Sequence, residues 1–86
     1  MRYLSFHWEY ISPEDKNFLS IHVLDRQENK KVKVVYQRPT QFHPSDISST
    51  DIQLNKFEQN LLLTQLDIDY ERFKIGELVD EKTKND

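Results

Sequence analysis

Residues 3–10 read YLSFHWEY, the densest aromatic stretch in the chain, with Tyr3, Phe6, Trp8 and Tyr10 interleaved with Leu4, Ser5, His7 and Glu9. Leu4, Phe6, Trp8 and Tyr10 occupy every second position. Successive side chains of a strand point to opposite faces, so this alternation predicts a half-buried strand with that set facing a core. Tyr3, Ser5, His7 and Glu9 then form the other face. The same stretch read as a compact site would place His7 and Glu9 for chemistry and Trp8 for stacking. Which reading holds depends on what pairs with it.

Two further segments alternate. FLSIHVLD, residues 18–25, sets Leu19, Ile21 and Val23 against Ser20 and His22, and KVKVVYQ, residues 31–37, sets Val32, Val34 and Tyr36 against Lys31, Lys33 and Val35. The connection SPEDKN is a loop, and in RQENK Asn29 is the residue best able to take a left-handed conformation. A one-residue slip in strand pairing would move a whole apolar set to the wrong face. The pairing that keeps Leu4, Phe6, Trp8 and Tyr10 on one face with Leu19, Ile21 and Val23 sets His7 opposite His22 and Glu9 opposite Ser20. The third strand extends that face with Val32, Val34 and Tyr36. This predicts a three-stranded antiparallel meander.

Pro39 and Pro44 close the sheet region, with RPTQFHP as a loop. Ser48, Ser49 and Thr50 are suitable N-caps, and Thr50 with Gln53 fits a capping box, so a helix is predicted over residues 51–66. Plotted at about 100° per residue it carries two apolar stripes. Leu54, Phe57, Leu61 and Ile68 form the first, and Ile52, Leu62, Leu63 and Leu66 the second, with Glu58 and Gln65 between them. One stripe can pack on the sheet, and the other needs a cover. Residues 67–79 allow two readings: a short strand or extended segment, with Phe73 and Ile75 alternating with Arg72 and Lys74, or a helical stripe through Ile68, Ile75 and Leu78/Val79; Gly76 weighs against the helix, so the extended segment is taken to supply that cover. Residues 80–86 read as a polar, disordered tail beyond a single domain spanning 1–79. The fold class is therefore α+β: a three-stranded meander, one long amphipathic helix on it, and a short C-terminal strand.

Composition narrows the function. An 86-residue chain is one domain, and a domain this size has a limited core. There is no cysteine, which removes disulfides, thiolate metal sites and cysteine nucleophiles, and suits a reducing compartment. The longest apolar run is Leu61-Leu62-Leu63, far short of a membrane span. His7 and Glu9 interrupt any signal-like apolar region, so the chain reads as a complete cytoplasmic protein. Net charge is −3 but uneven: residues 1–44 hold seven Lys/Arg against five Asp/Glu, and residues 45–86 five against ten.

Four constellations carry candidate chemistry. His7, His22 and Glu9 share a face, but zinc needs three or four ligands and His43 lies in a loop, so no metal or other cofactor is assigned. Tyr36, Arg38 and His43 hold the side chains of a small metal-independent ribonuclease, without a recognisable nucleophile–base spacing. Arg26, Lys30, Lys31, Lys33 and Arg38 form a basic edge that can grip a nucleic-acid backbone, or can keep an exposed strand soluble. Asp67, Asp69 and Glu71 begin an acidic run that can mimic phosphate for a basic partner. It is not a calcium loop, because Arg72 and Leu78 stand where such a loop needs glycine and an acid.

No catalytic motif occurs. Size, the acidic second half and the surplus apolar helix surface point to a non-catalytic protein-binding module, of the inhibitor, immunity or adaptor type that phages and mobile elements often encode. The predicted contact residues are His7, Glu9, His22, Lys31, Lys33, Ile52, Leu62, Leu63, Leu66, Asp67, Asp69 and Glu71. The simplest specific form is a homodimer through Ile52, Leu62, Leu63 and Leu66. Nucleic-acid binding is the alternative and a ribonuclease the third reading.

Overall fold

A computed structural model describes residues 1–76. Strands β1 (Tyr3–Tyr10), β2 (Phe18–Asp25), β3 (Lys30–Gln37) and β4 (Asp46–Thr50) form one antiparallel sheet in chain order, and helix α1 (Lys56–Lys74) packs on it. The α+β class and the meander are as expected, with a fourth strand added. The tail expected at 80–86 and the end of the domain at 79 lie outside the described residues. Among those residues no helix is long and apolar enough to cross a membrane.

The β2–β3 ladder is regular, with Leu19 opposite Tyr36, Ile21 opposite Val34 and Val23 opposite Val32. Its turn places Asn29 at φ 54°, the left-handed position the sequence reserved for it. Asp25 holds the turn by accepting from the backbone N–H groups of Gln27 and Glu28.

The β1–β2 ladder departs from expectation in its first half. From His7 to Tyr10 the pairing is the predicted one, with His7 opposite His22, Trp8 opposite Ile21 and Glu9 opposite Ser20. Between Ser5 and His7 the register shifts, so that Ser5 faces Val23 and Tyr3 faces Asp25. Phe6 is the extra residue of a β-bulge. The bulge reverses the faces before it: Tyr3 and Ser5 turn into the core, and Leu4 and Phe6, expected inside, stand outside at 43% and 45% exposure. The gain is polar as well as steric. Ser5 Oγ donates to the buried Asp69 carboxylate at 2.6 Å, and Arg2 forms a two-pronged pair with Asp25 at 3.0 Å per arm.

Ser48, Ser49 and Thr50 are strand residues, not helix caps. β4 pairs Thr50 with Val34 and Ser49 with Val35, and a second irregularity brings Ile47 opposite Tyr36. The helix starts five residues later than predicted. Asn55 is its N-cap, its side chain accepting from Glu58 N–H at 2.8 Å while Glu58 accepts from Asn55 N–H at 3.1 Å. This reciprocal pair satisfies donors that a helix start leaves open. The helix continues to Lys74, so of the two readings of the segment from residue 67 the helical one holds up to residue 74, and the extended segment taken to cover the second stripe is absent there. Gly76, at φ 88°, lies just past the C-cap Ile75.

The inner face of the sheet and the inner side of α1 enclose the core. Leu62, Leu66, Asp69 and Tyr70 are buried and Phe73 packs beside them, a spacing that keeps one helix face on the sheet. Trp8 lies at the centre. Its ring stacks on Phe73 at 5.5 Å and Tyr70 at 6.4 Å, and meets the edge of Tyr36 at 5.8 Å. Of the two predicted stripes, the second faces the sheet. Phe57, Leu61 and Ile68 of the first are exposed, while Leu54, which precedes the helix, packs against the core.

Candidate functional site

The helix covers one face of the sheet and leaves the other open. The bulge shapes that open face. Because two residues of β1 oppose one of β2, Phe6 and His7 stand side by side on the same surface, both against His22. Phe6 meets the His22 ring edge-on at 5.8 Å, and the His7 and His22 rings lie 5.0 Å apart. His7 Nε2 approaches Glu9 Oε1 at 3.9 Å. On the next strand Lys33 pairs with His22 and Lys31 with Leu24. Lys31 Nζ sits 5.9 Å above the Phe6 ring.

Leu4, Leu24 and Lys31 thus form one cross-strand row, Phe6/His7, His22 and Lys33 the next, and Glu9, Ser20 and Val35 a third. A shallow depression of about 300 Å³ opens beside Lys31, Val32 and Lys33, bounded by His22 and Asp51. Asp51 is fixed there by two backbone contacts with Lys33: it accepts from Lys33 N–H at 3.1 Å and donates its own N–H to the Lys33 carbonyl at 3.2 Å. The surface is flat and apolar at Leu4 and Phe6, with cationic groups along one side and Glu9 at a corner.

His7, Glu9, His22, Lys31 and Lys33, predicted as contact residues, are therefore brought together. The others are not. Leu62 and Leu66 are wholly buried under the sheet, and Ile52 and Leu63 pack partly buried against the same core. Leu62 and Leu66 cannot form the expected dimer surface, because their stripe is the one continued by Tyr70 and Phe73. Asp69 is also interior, where it accepts from Ser5 and from Gln65 Nε2 at 3.1 Å. Asp67 accepts from Tyr36 Oη at 2.7 Å, leaving Glu71 as the exposed member of the acidic trio, paired with Lys74 at 2.8 Å. That carboxylate raises the Lys74 pKa.

The ribonuclease residues are dispersed. Tyr36 faces the core, and burial first, then the hydrogen bond to Asp67, pushes its hydroxyl pKa well above the ordinary value, the opposite of what a base needs. Arg38 donates Nε–H to the Lys16 carbonyl at 3.0 Å, and His43 lies 3.3 Å from Gln37 in the loop beyond β3. The basic edge is also divided. Lys31 and Lys33 share the open face, Arg26 and Lys30 flank the turn, and Arg38 is about 25 Å from Lys30 along the strand. No group of three or more metal-binding side chains converges among the described residues.

Sequence reasoning missed Leu4 and Phe6 on the open face and Phe57, Leu61 and Ile68 on the helix. For the helix the signal was present, since Asn55 and Glu58 form as good a capping box as Thr50 and Gln53. For the bulge the only sign was Tyr3, an aromatic on the side assigned to polar residues.

Compared with protein-family models, with curated proteins and with solved structures, the chain matches none.

Proposed function

We propose that this chain is a small non-catalytic protein-binding module that docks a partner on the open face of its sheet. One observation carries the reading: Leu4 and Phe6 are held outward by the bulge, on a rigid ladder, beside His22 and the two lysines. An apolar centre with a charged border is the anatomy of a docking surface, and an aromatic fixed in place forfeits little conformational entropy on binding. The lysines select a partner segment that is apolar with acidic flanks. An inhibitor, immunity or adaptor protein working in the cytoplasm, encoded by a phage or mobile element, is the form that best fits the size and the missing cysteines.

The test is capture from the native host followed by measurement with the purified partner. Phe6→Ala combined with Lys33→Glu is expected to weaken binding at least about tenfold. Equal binding by the variant and the wild type removes the open face as the docking surface.

A second reading rests on Lys31 above the Phe6 ring. An exposed aromatic with a lysine alongside can stack a base and hold its phosphate. A salt-dependent shift of a labelled single strand, lost in Lys31→Glu/Lys33→Glu, favours it, and no shift at low salt ends it.

A further inference from the structure

Lys31 and Lys33 stand two positions apart on the open side of β3, and both are exposed. Among the described residues neither ammonium has a carboxylate within ion-pair range, and Lys31 Nζ sits over the Phe6 ring instead. With His22, also exposed, they line the depression of about 300 Å³. Asp51, the acid in that depression, lies on the far side of Lys33 from His22. Its Oδ1 is taken by the Lys33 N–H, and its charge pushes an anion away from β4, toward His22 and Lys31. There the ground is apolar: Leu4 at 43% and Phe6 at 45% exposure flank Leu24, the cross-strand neighbour of Lys31.

We infer that this depression is a subsite for an aryl phosphate monoester, the side chain of a phosphotyrosine in the segment that docks on the open face. The inference rests on that face being the docking surface and names the group it reads. Two ammonium groups and an imidazole offer donors to three phosphate oxygens, and a phosphate dianion matches two cations where a carboxylate leaves one uncompensated. A serine phosphate would reach the lysines and leave the apolar ground bare. Neighbouring strands stand about 4.8 Å apart, so the lysines on β3 and Phe6 on β1 are separated by about 10 Å across His22. A side chain with a ring behind its phosphate fills that span. The phosphate lies between Lys31 and Lys33, and the ring covers Leu24 and His22 beside Phe6. A nucleic-acid strand fits less well, because its phosphates are diesters with a single charge and a sugar separates each from its base.

The probe is phenyl phosphate, added to the full chain at low salt and followed by amide chemical shifts. Saturable shifts centred on His22 and residues 31–33 are expected, with a millimolar Kd. Lys31→Gln/Lys33→Gln, two surface changes with the urea midpoint followed at Trp8 as the check on folding, is expected to weaken binding at least about tenfold. Phe6→Leu is expected to weaken phenyl phosphate and leave inorganic phosphate unchanged. The inference is overturned by no saturable shift up to about 20 mM, or by indifference to the folded double variant. Inorganic phosphate or benzoate binding as tightly as phenyl phosphate reduces the site to an adventitious anion only, and overturns it too. So does tighter binding of a single-stranded oligonucleotide, lost in the same variant, which hands the site to nucleic acid. The docking surface fails by a different sign. Phenyl phosphate binding with partner capture indifferent to Phe6→Ala/Lys33→Glu keeps the subsite and removes the docking surface. A captured partner that needs Phe6 and Lys33 but binds equally after phosphatase treatment keeps the docking surface and removes the phosphotyrosine.

Discussion

Deleting Phe6 outright is the sharpest test of the bulge. Phe6 is the one residue of β1 without a place in the ladder, flanked by Ser5 opposite Val23 and His7 opposite His22. Removing it joins those pairs into an unbroken register. Trp8 stays inward, His7 outward, Ser5 inward and Tyr3 inward, so the Ser5–Asp69 hydrogen bond and the Arg2–Asp25 pair are retained. What is lost is a half-exposed ring with an edge contact to His22 and a lysine above it, each worth about 0.5–1 kcal/mol. Ordering one residue fewer returns about 1–2 kcal/mol of backbone entropy. The net change is expected to lie within about 1 kcal/mol of wild type.

The unbulged alternative, with Leu4 and Phe6 in the core, predicts a different size of effect. Deleting a core phenylalanine costs about 3–5 kcal/mol, and the deletion would also reverse the faces of every residue before it. Urea unfolding followed by fluorescence of Trp8, the only tryptophan, separates the two. With a slope of about 1 kcal/mol per molar urea, the deletion should move the midpoint by no more than about 1 M. A drop of about 3 M, or no folded baseline, refutes the bulge. Deletion of Ser20, in the regular strand β2, is the control and should abolish folding because it inverts half of a central strand.

Four further outcomes follow from particular contacts. Trp8→Ala empties the centre of the aromatic cluster and should lower unfolding free energy by about 3–5 kcal/mol in the same assay. Ser5→Ala leaves a buried Asp69 oxygen without its hydroxyl donor and should cost about 1–3 kcal/mol, far more than a surface serine. Two tyrosines should respond oppositely to the same change. Tyr3 Oη is buried with no hydrogen-bond partner among the described residues, so Tyr3→Phe should leave thermal stability equal or higher, whereas Tyr36→Phe loses the bond to Asp67 and should cost about 1 kcal/mol. Finally, the Arg2 hydrogen bonds hold the Asp25 pKa below its ordinary value. A lowered folded-state pKa gives stability that is complete above the unfolded value, near 4, and is lost as pH falls through the folded one, so Arg2→Met should flatten the acid limb of a stability-against-pH curve.

Most of the sheet was legible in the sequence because its signals are local and mutually consistent. The alternation in FLSIHVLD and KVKVVYQ fixes two strands, and the demand that Trp8 and Ile21 share a face fixes their pairing with β1, including His7 opposite His22. What escaped depends on contacts distant in sequence. Ser5 turns inward because Asp69, 64 residues away, needs a donor. β4 offers only Ile47 to the core, and its Ser48-Ser49-Thr50 resembles a cap as closely as a strand. Of the predicted contact residues, the five on β1, β2 and β3 share the open face because the ladder dictates it. Leu62, Leu66 and Asp69 lie inside instead, because two stripes of similar apolarity left the helix rotation undecided.

That rotation is decided by polar contacts as well as by apolar area. Tyr70 and Phe73 extend the Leu62/Leu66 stripe toward Trp8, which already favours burying that side. Three hydrogen-bonded contacts then pin the helix along its length: Arg2 to Glu58 at 3.1 Å, Tyr36 to Asp67 at 2.7 Å and Ser5 to Asp69 at 2.6 Å. Of these the Ser5–Asp69 bond is the buried one, where a hydrogen bond to a charged group contributes about 1.5–3 kcal/mol, and the part-buried Tyr36–Asp67 and Arg2–Glu58 contacts contribute less. Turning the helix over to bury Phe57, Leu61 and Ile68 would break all three and strand Ser5 and Tyr36 beneath apolar side chains. The same bulge that brings Ser5 under Asp69 also sends Phe6 outward. The inward polar contacts and the two outward apolar surfaces are therefore linked through Ser5, and a change that turns Ser5 outward, as a one-residue slip of the first half of β1 would, should disturb both surfaces together.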